Sequence, residues 1–434
     1  MAYVPSRRRF LQESVALAAS ANLLGAIRAE EKKKPPSERL NLGIIGCGAG
    51  SQGDYNLSNV TSENIVALCD VDSDRAGKAR QAHPKAVFFQ DFHKLLDHEG
   101  IDAVVISTPD HMHAIPAVLA MQAGKAVYCE KPLAHTVHEI RVMMETAAKN
   151  KLVTQMGTQI HAGDNYRRVV EIVQAGVIGK VSRVHVWCAK RPDTRKLASK
   201  PVKVPASLNY DLWLGPAPER PYDPAFLPFH WRWWWDFGGG ILADMACHFM
   251  DLPHWALNLR TPTTISATGK KIGEGDHDVP DILQVDYEYP VRGEQPAVHL
   301  TWYSGSIGPD LQAKEPFHGF ANGVLFEGGK GQLVADYGNY KLLPETQFKD
   351  FKLPKETVPR SIGHHKEWIE AVKTGGTTTC NFAYSGALAE TVLLGNVAFR
   401  SGKKINWNDK EGKVDSPEAA KYLQREYRKG WKLG

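Results

Sequence analysis

Three short patterns in this chain hold residue types suited to moving protons and orienting hydroxyl groups. Asp244 and His248 follow Gly238-Gly239-Gly240 and stand four apart, which on a helix puts both on one face. A histidine titrating near neutrality takes a hydroxyl proton while hydride leaves the same carbon, with a neighbouring carboxylate orienting the substrate. Lys131 sits in Glu130-Lys131-Pro132, directly after an apolar run. There it is placed to hydrogen-bond a substrate oxygen, with desolvation lowering its pKa into a useful range. A second apolar run ends in Ser107-Thr108-Pro109-Asp110-His111-Met112-His113. Proline after a strand end forces an extended exit, so both loops line one groove. His111-x-His113 has no third ligand at metal-site spacing, and His113 is read as fixing its loop. Taken singly, each pattern also has a bland reading, a surface Asp–His contact or a Glu130–Lys131 surface ion pair.

Such groups need a redox partner and a frame. Leu42 to Ser51 supplies the first: an apolar run breaks into glycines and then into a helix pattern. Gly46 permits a tight turn, Gly48 clears space for phosphates, and the helix N-terminus meets their charge. Ser51 replaces the third glycine of the dinucleotide pattern. Gly46, Cys47, Gly48, Gly50 and Ser51 are therefore candidate cofactor contacts. Asp70 ends the next apolar run about 20 residues on, placed for an adenosine ribose, which favours NAD over NADP. Asp72 caps the following helix, and Arg75 lies nearby. Strand candidates at 41–45, 64–69, 86–89, 103–107, 126–129 and 152–156 alternate with helix patterns, as in a doubly wound parallel sheet. Thr136 and Glu139 read as a capping box, and Asp91 as a cap. Ligands of such sheets sit beyond the strands' carboxyl ends, which adds Thr108, Pro109, His113, Glu130 and Lys131 to the cofactor candidates.

Beyond residue 159 the pattern changes. A helix at 165–175 and a strand at 180–190 lead into an aromatic, proline-rich stretch, 191–236. Next come a helix over 240–257, strands alternating with period two, and helices at 364–373, 382–400 and 416–428. Alternation without intervening helices predicts a largely antiparallel, open-faced sheet. Gln159 and Trp235 are candidate substrate contacts; an aromatic face packs against a sugar ring.

The first 29 residues read as an address. Ser6-Arg7-Arg8-Arg9-Phe10-Leu11-Gln12, a short apolar run and Arg28-Ala29 resemble a twin-arginine signal peptide. The run is too short to span a bilayer, and residues 30–37 read as a linker. The formal charge is +5, and four arginines less Glu13 in the signal carry most of it, so neither nucleic acid nor a membrane surface is an expected partner. Six cysteines without a C-x-x-C spacing indicate neither a disulfide framework nor structural zinc. Periplasmic localisation through the twin-arginine machinery is the expectation.

The glycine turn, Asp70, T-P-D-H-x-H, A-G-K-x-V-x-x-E-K-P-L-A (123–134) and G-G-G-x-x-x-D-x-x-x-H (238–248) occur in that order. Over residues 38–400 the chain resembles the glucose–fructose oxidoreductase/inositol dehydrogenase (Gfo/Idh/MocA) family, in its secreted bacterial branch. The resemblance implies an α/β fold with a Rossmann domain at 38–158. It also implies an open-faced-sheet domain at 159–434, for substrate and oligomerisation, whose last helices return to the first domain. It implies NAD(P) chemistry on a sugar or polyol, with Lys131 touching cofactor and substrate and with Asp244 and His248 acting together. The expected protein is a homo-oligomeric dehydrogenase, dimer or tetramer, with His248 as base and tightly held NAD. Two alternatives stay open: a glycoside hydrolase working by transient oxidation and elimination, and a non-enzymatic sugar-binding protein that retains NAD.

Overall fold

Six short apolar runs pair side by side and in parallel in the computed structural model, which describes residues 39–305 and 320–434. They are β1 (Asn41–Ile45), β2 (Asn64–Cys69), β3 (Val87–Phe89), β4 (Ala103–Ile106), β5 (Ala126–Glu130) and β6 (Thr154–Gly157). Their order is β3-β2-β1-β4-β5-β6, so the direction of winding reverses between β1 and β4, beside the glycine turn. Every residue of β4 and β5 is buried, as a sheet covered on both faces requires. β6 starts two residues later than expected because Leu152 still closes the preceding helix, its N–H donating to Ala147 O at 3.2 Å. The expected signal peptide and linker lie outside the described residues.

The second sheet has nine strands. Added to β7 (Val181–Cys188) are β8 (Thr264–Lys270), β9 (Ile282–Tyr289), β10 (Val298–Ser304), β11 (Asn322–Gly328), β12 (Gly331–Ala335), β13 (Tyr340–Leu343), β14 (Ile405–Asn408) and β15 (Lys413–Val414). The order is β13-β12-β11-β7-β10-β9-β8-β14-β15. Only β7 and β10 run parallel; the other neighbours are antiparallel. In β9, Leu283, Val285, Tyr287 and Tyr289 are buried, while Gln284, Asp286 and Glu288 face outward. The buried face packs on the helix Phe382–Ser401, close enough that a Cβ on Gly395 would lie 2.4 Å from Tyr287 Oη. That helix is apolar and long enough to cross a membrane, but 78% of its apolar window is buried. It is a core helix. The helix His364–Thr374 sends Trp368 and Ile369 into the core beneath the first sheet, beside Leu42, Ile44 and Tyr128. Residues Arg39–Gly434 thus form one compact unit.

Two expected helices differ. The stretch 240–257 is broken into Gly240–Phe249 and Asp251–Ala256, because Pro253 has no N–H to donate to Phe249. The helix expected over 416–428 stops after Pro417–Ala420. Downstream side chains are tied elsewhere instead: Arg425 Nε donates to Glu139 Oε1 at 3.0 Å, and Tyr427 Oη to the same oxygen at 2.6 Å.

Candidate active site

β1 delivers Gly46 in the left-handed region, with φ of 84°, and its N–H donates to Cys69 O at 2.8 Å. Ser51 caps the helix Gln52–Asn59, accepting from Gly53 N–H at 3.1 Å and donating to Gly48 O at 2.5 Å. The third glycine of the turn is therefore Gly53, which sequence spacing missed. A Cβ there would sit 1.8 Å from Gly46 O, so only glycine lets the helix pack this tightly on the turn. Beside the turn, Arg75 Nη2 donates to Ala49 O at 2.9 Å. Asp70 ends β2 and accepts from Asp72 N–H at 3.0 Å. Burial is the main influence on its carboxyl and pushes it up to about 6.

The turn, Asp70 and the exits of β4 and β5 line one open crevice. Gly46, Gly48, Ser51, Asp70, Thr108, Pro109, Glu130 and Lys131 all face it, while Cys47, Gly50 and His113 are outside its lining. Trp213, Phe229, Trp231 and Arg232 supply a further wall. Two observations fit a dinucleotide. A Cβ on Gly48 would come within 3.2 Å of Asp70 Oδ2 and Arg75 Nε, so the glycine keeps a phosphate-sized cradle clear. Thr108 Oγ1 is buried without a partner in the crevice wall, leaving a polar atom for a bound group to satisfy.

The two loops are held from behind. His113 bridges them, with Nδ1 at 2.8 Å from Pro132 O and Nε2 at 2.8 Å from Thr108 O. Glu130 is no surface partner of Lys131. It is buried and accepts from Asn56 Nδ2 at 2.9 Å and Gln159 Nε2 at 2.8 Å, with burial raising its carboxyl despite these bonds. Gln159 therefore serves Glu130 and Tyr128 and does not line the crevice. Trp235 also departs from expectation. Its indole donates to Asp278 O at 3.0 Å and Arg400 stacks on its ring, in a separate cavity with His135 and Tyr422. Trp231 is the member of the aromatic run that reaches the crevice.

Lys131 is the link between the crevice and the helix Gly240–Phe249. Its Nζ donates to Asp244 Oδ1 at 2.9 Å and to Asp244 O at 2.6 Å. Arg232 Nε donates to the same Oδ1 at 2.9 Å, and Lys190 Nζ to Oδ2 at 2.6 Å. No spacing in the sequence points to Lys190 or Arg232. Burial would raise the Asp244 carboxyl, but Lys131, Arg232 and Lys190 together hold it well below the usual range. Asp244 is a counter-ion shared by three cations. His248 follows one turn later with no hydrogen bond to Asp244, and its imidazole has no hydrogen-bond partner among the described residues. Burial, helped by Lys131 and Lys190, pushes its pKa down to about 3, so the ring is neutral and able to accept a proton. Asp251, beyond the break, is structural: fully buried, it lies 2.9 Å from His161 Nδ1 and accepts from Tyr384 Oη at 2.7 Å. All six cysteines are free and buried.

This architecture defines a dinucleotide-binding oxidoreductase, and comparison with known proteins places it. Two models of one oxidoreductase family match, the NAD-binding Rossmann fold over residues 40–158 and the C-terminal alpha/beta domain over 163–288. The chain belongs to the Gfo/Idh/MocA oxidoreductase family. It is 34% identical over 150 residues to the inositol 2-dehydrogenase of Salmonella paratyphi B, an alignment covering 34% of this chain and 45% of that relative. With the myo-inositol 2-dehydrogenase of Thermotoga maritima it shares 23% identity over 300 residues, 68% of this chain and 75% of the other. The WlbA dehydrogenase of Bordetella pertussis, solved with NADH and UDP-GlcNAcA, has the same fold. Its TM-score is 0.60 at 17% identity, covering 86% of this chain and 99% of that one.

Proposed function

We propose that this protein is an NAD-dependent dehydrogenase of a sugar or polyol, oxidising one secondary hydroxyl. The observation that carries the reading is Lys131, which lines the crevice at the end of β5 and is bonded to the helix that bears His248. The turn at Gly46 and Gly48 and the N-terminus of the helix Gln52–Asn59 would hold the pyrophosphate, Asp70 the adenosine ribose, and Thr108 and Lys131 the reactive half. Bound NAD supplies the hydride acceptor. Lys131 donates to the reacting oxygen and disfavours its protonated form as charge develops. Neutral His248 takes the hydroxyl proton. Asp244 fixes the Lys131 ammonium between its side-chain and backbone oxygens.

The twin-arginine pattern at residues 6–12 supports export. Six unpaired cysteines fit a chain that folds before leaving a reducing compartment. NAD then travels as a resident group, and the second sheet provides the surface for a homo-oligomer.

The test is to denature natively produced protein, analyse the supernatant for NAD, and screen the holoenzyme with inositols, aldoses and nitrophenyl glycosides. NADH formation with a free sugar or polyol, lost in Lys131→Ala and in His248→Ala, is the expected result. Nitrophenol release without net NADH would assign the redox-assisted glycosidase instead, and retained NAD without either reaction a binding protein.

A further inference from the structure

The residues around Lys131 carry more positive charge than the proposed reaction needs. Lys131, Arg232 and Lys190 converge on Asp244 at 2.9, 2.9 and 2.6 Å, and one carboxylate neutralises one of the three. No other acid makes an ion pair with these cations among the described residues. Glu130 turns its Oε1 to Asn56 and Gln159. Asp110 lines the same crevice, but burial raises its carboxyl to about 7 against the pull of Arg232 and Lys131, so much of it is protonated at neutrality. Nor is the surplus there for the dinucleotide phosphates, because the glycine turn has its own cation in Arg75, whose Nε would lie 3.2 Å from a Gly48 Cβ.

The excess cations are also placed to receive a ligand. Arg232 lines the crevice, stacked 4.2 Å over the Trp231 ring, with Nη1 on Phe229 O. Lys190 stands above Trp233 with 47% of its side chain exposed, so its ammonium keeps donors beyond the one spent on Asp244. Grouping like charges round one carboxylate, with Lys131 and Arg232 in the crevice wall and Lys190 on the far oxygen of Asp244, is costly for the fold alone, and it focuses the field on a passing anion.

From this juxtaposition we infer that the substrate is an anionic sugar or polyol whose carboxylate or phosphate binds against Lys190 and Arg232. The inference rests on the dehydrogenase reading and specifies its substrate class. Lys131 and His248 serve the reacting hydroxyl, and Lys190 and Arg232 select the charged end. With Nε on Asp244 and Nη1 on Phe229 O, Arg232 has its Nη2 left to donate to a carboxylate or phosphate oxygen, and either anion suits Lys190 as a point charge.

The test uses holoenzyme and matched pairs: glucose against glucuronate, galactose against galacturonate, and glucose against glucose 6-phosphate. The charged member of at least one pair is expected to have a kcat/KM about tenfold to a hundredfold higher, the range for a charge-assisted hydrogen bond. That advantage should shrink as salt rises. Lys190→Gln, at a half-exposed position, should narrow the ratio mainly through KM. A preference for the uronates or the phosphate identifies which anion is read. Equal or better turnover of the neutral member in every pair overturns the inference and leaves the dehydrogenase standing, as does a Lys190→Gln that lowers both members equally. If nothing turns over, titration of the same anions into NADH-loaded protein decides. Binding weakened by Lys190→Gln supports the anion site while removing the dehydrogenase, and no binding removes both.

Discussion

Replacing Gly53 by alanine tests the geometry of the cofactor site with one methyl group. The added carbon would lie 1.8 Å from Gly46 O, 2.8 Å from Gly46 C and 3.3 Å from Cys47 Cα, all backbone atoms. No side chain can move aside, so the helix Gln52–Asn59 must retreat from the turn by roughly 1.5 Å to reach ordinary contact. Overpacking of this kind costs about 1–3 kcal/mol. The retreat also draws the N–H groups of the first helical turn, and the Ser51 cap, away from the pyrophosphate. Losing one or two charge-assisted hydrogen bonds weakens NAD about tenfold to a hundredfold. Gly77→Ala is the control: it starts the helix Gly77–Ala82, and its Cβ would meet nothing within 4 Å. Calorimetric titration of apo protein with NAD, alongside thermal unfolding, reads both terms. Gly53→Ala binding NAD within about twofold of the parent, at an unchanged Tm, would refute the assignment of Gly53 as the third glycine.

Four further outcomes are expected. Because His248 is neutral down to about pH 3, kcat/KM on a neutral substrate at saturating NAD should show no acid limb near 6.5, the ordinary histidine value; a limb there would contradict the depressed pKa. Asp70 titrates up at about 6; once protonated it keeps one carbonyl acceptor but loses its charge and its second acceptor oxygen, so NAD affinity should fall as pH drops through that value. In Asp70→Asn the affinity should be lower and this pH dependence lost, as titrations on either side of pH 6 would show. Trp231→Ala should weaken NAD or substrate binding, whereas Trp235→Ala should lower Tm by removing its stacking with Arg400 and leave Kd for NAD unchanged. Replacing Arg7 and Arg8 by lysine should leave the protein in the cytoplasmic fraction, with its NAD still bound.

What could be read along the chain was whatever neighbouring residues decide. The bounds of β1 and β2 follow from apolar runs closed by turn residues, and the capping box at Thr136 and Glu139 forms as its spacing predicts. Gly53 escaped because the dinucleotide pattern counts from Gly48 to position 51, whereas here the serine caps and the glycine packs one step inside the helix. Trp235 and Gln159 misled for the opposite reason. Their types suit a sugar, but the indole N–H and the amide are already committed to Asp278 and Glu130, and no local pattern reports a partner so far along the chain. Lys190 and Arg232 reach Asp244 across separations of 54 and 12 residues. A cation just after the end of β7 and another inside a tryptophan run gave no spacing to read.

The charge cluster also changes how the proposed catalytic pair must be understood. Asp244 cannot act as a relay to His248, since there is no bond between them and its oxygens are taken by three cations. Burial first, then the field of Lys131 and Lys190 against the opposing charge of Asp244, disfavours the His248 imidazolium and makes it a weak base before substrate arrives. An anionic group seated on Lys190 and Arg232 would offset that field, and each unit of pKa recovered is worth about 1.4 kcal/mol toward accepting the hydroxyl proton. The same anion would then bind and strengthen the base. A neutral sugar in the same pocket would leave His248 weak, so the discrimination predicted in KM should carry a second component in kcat.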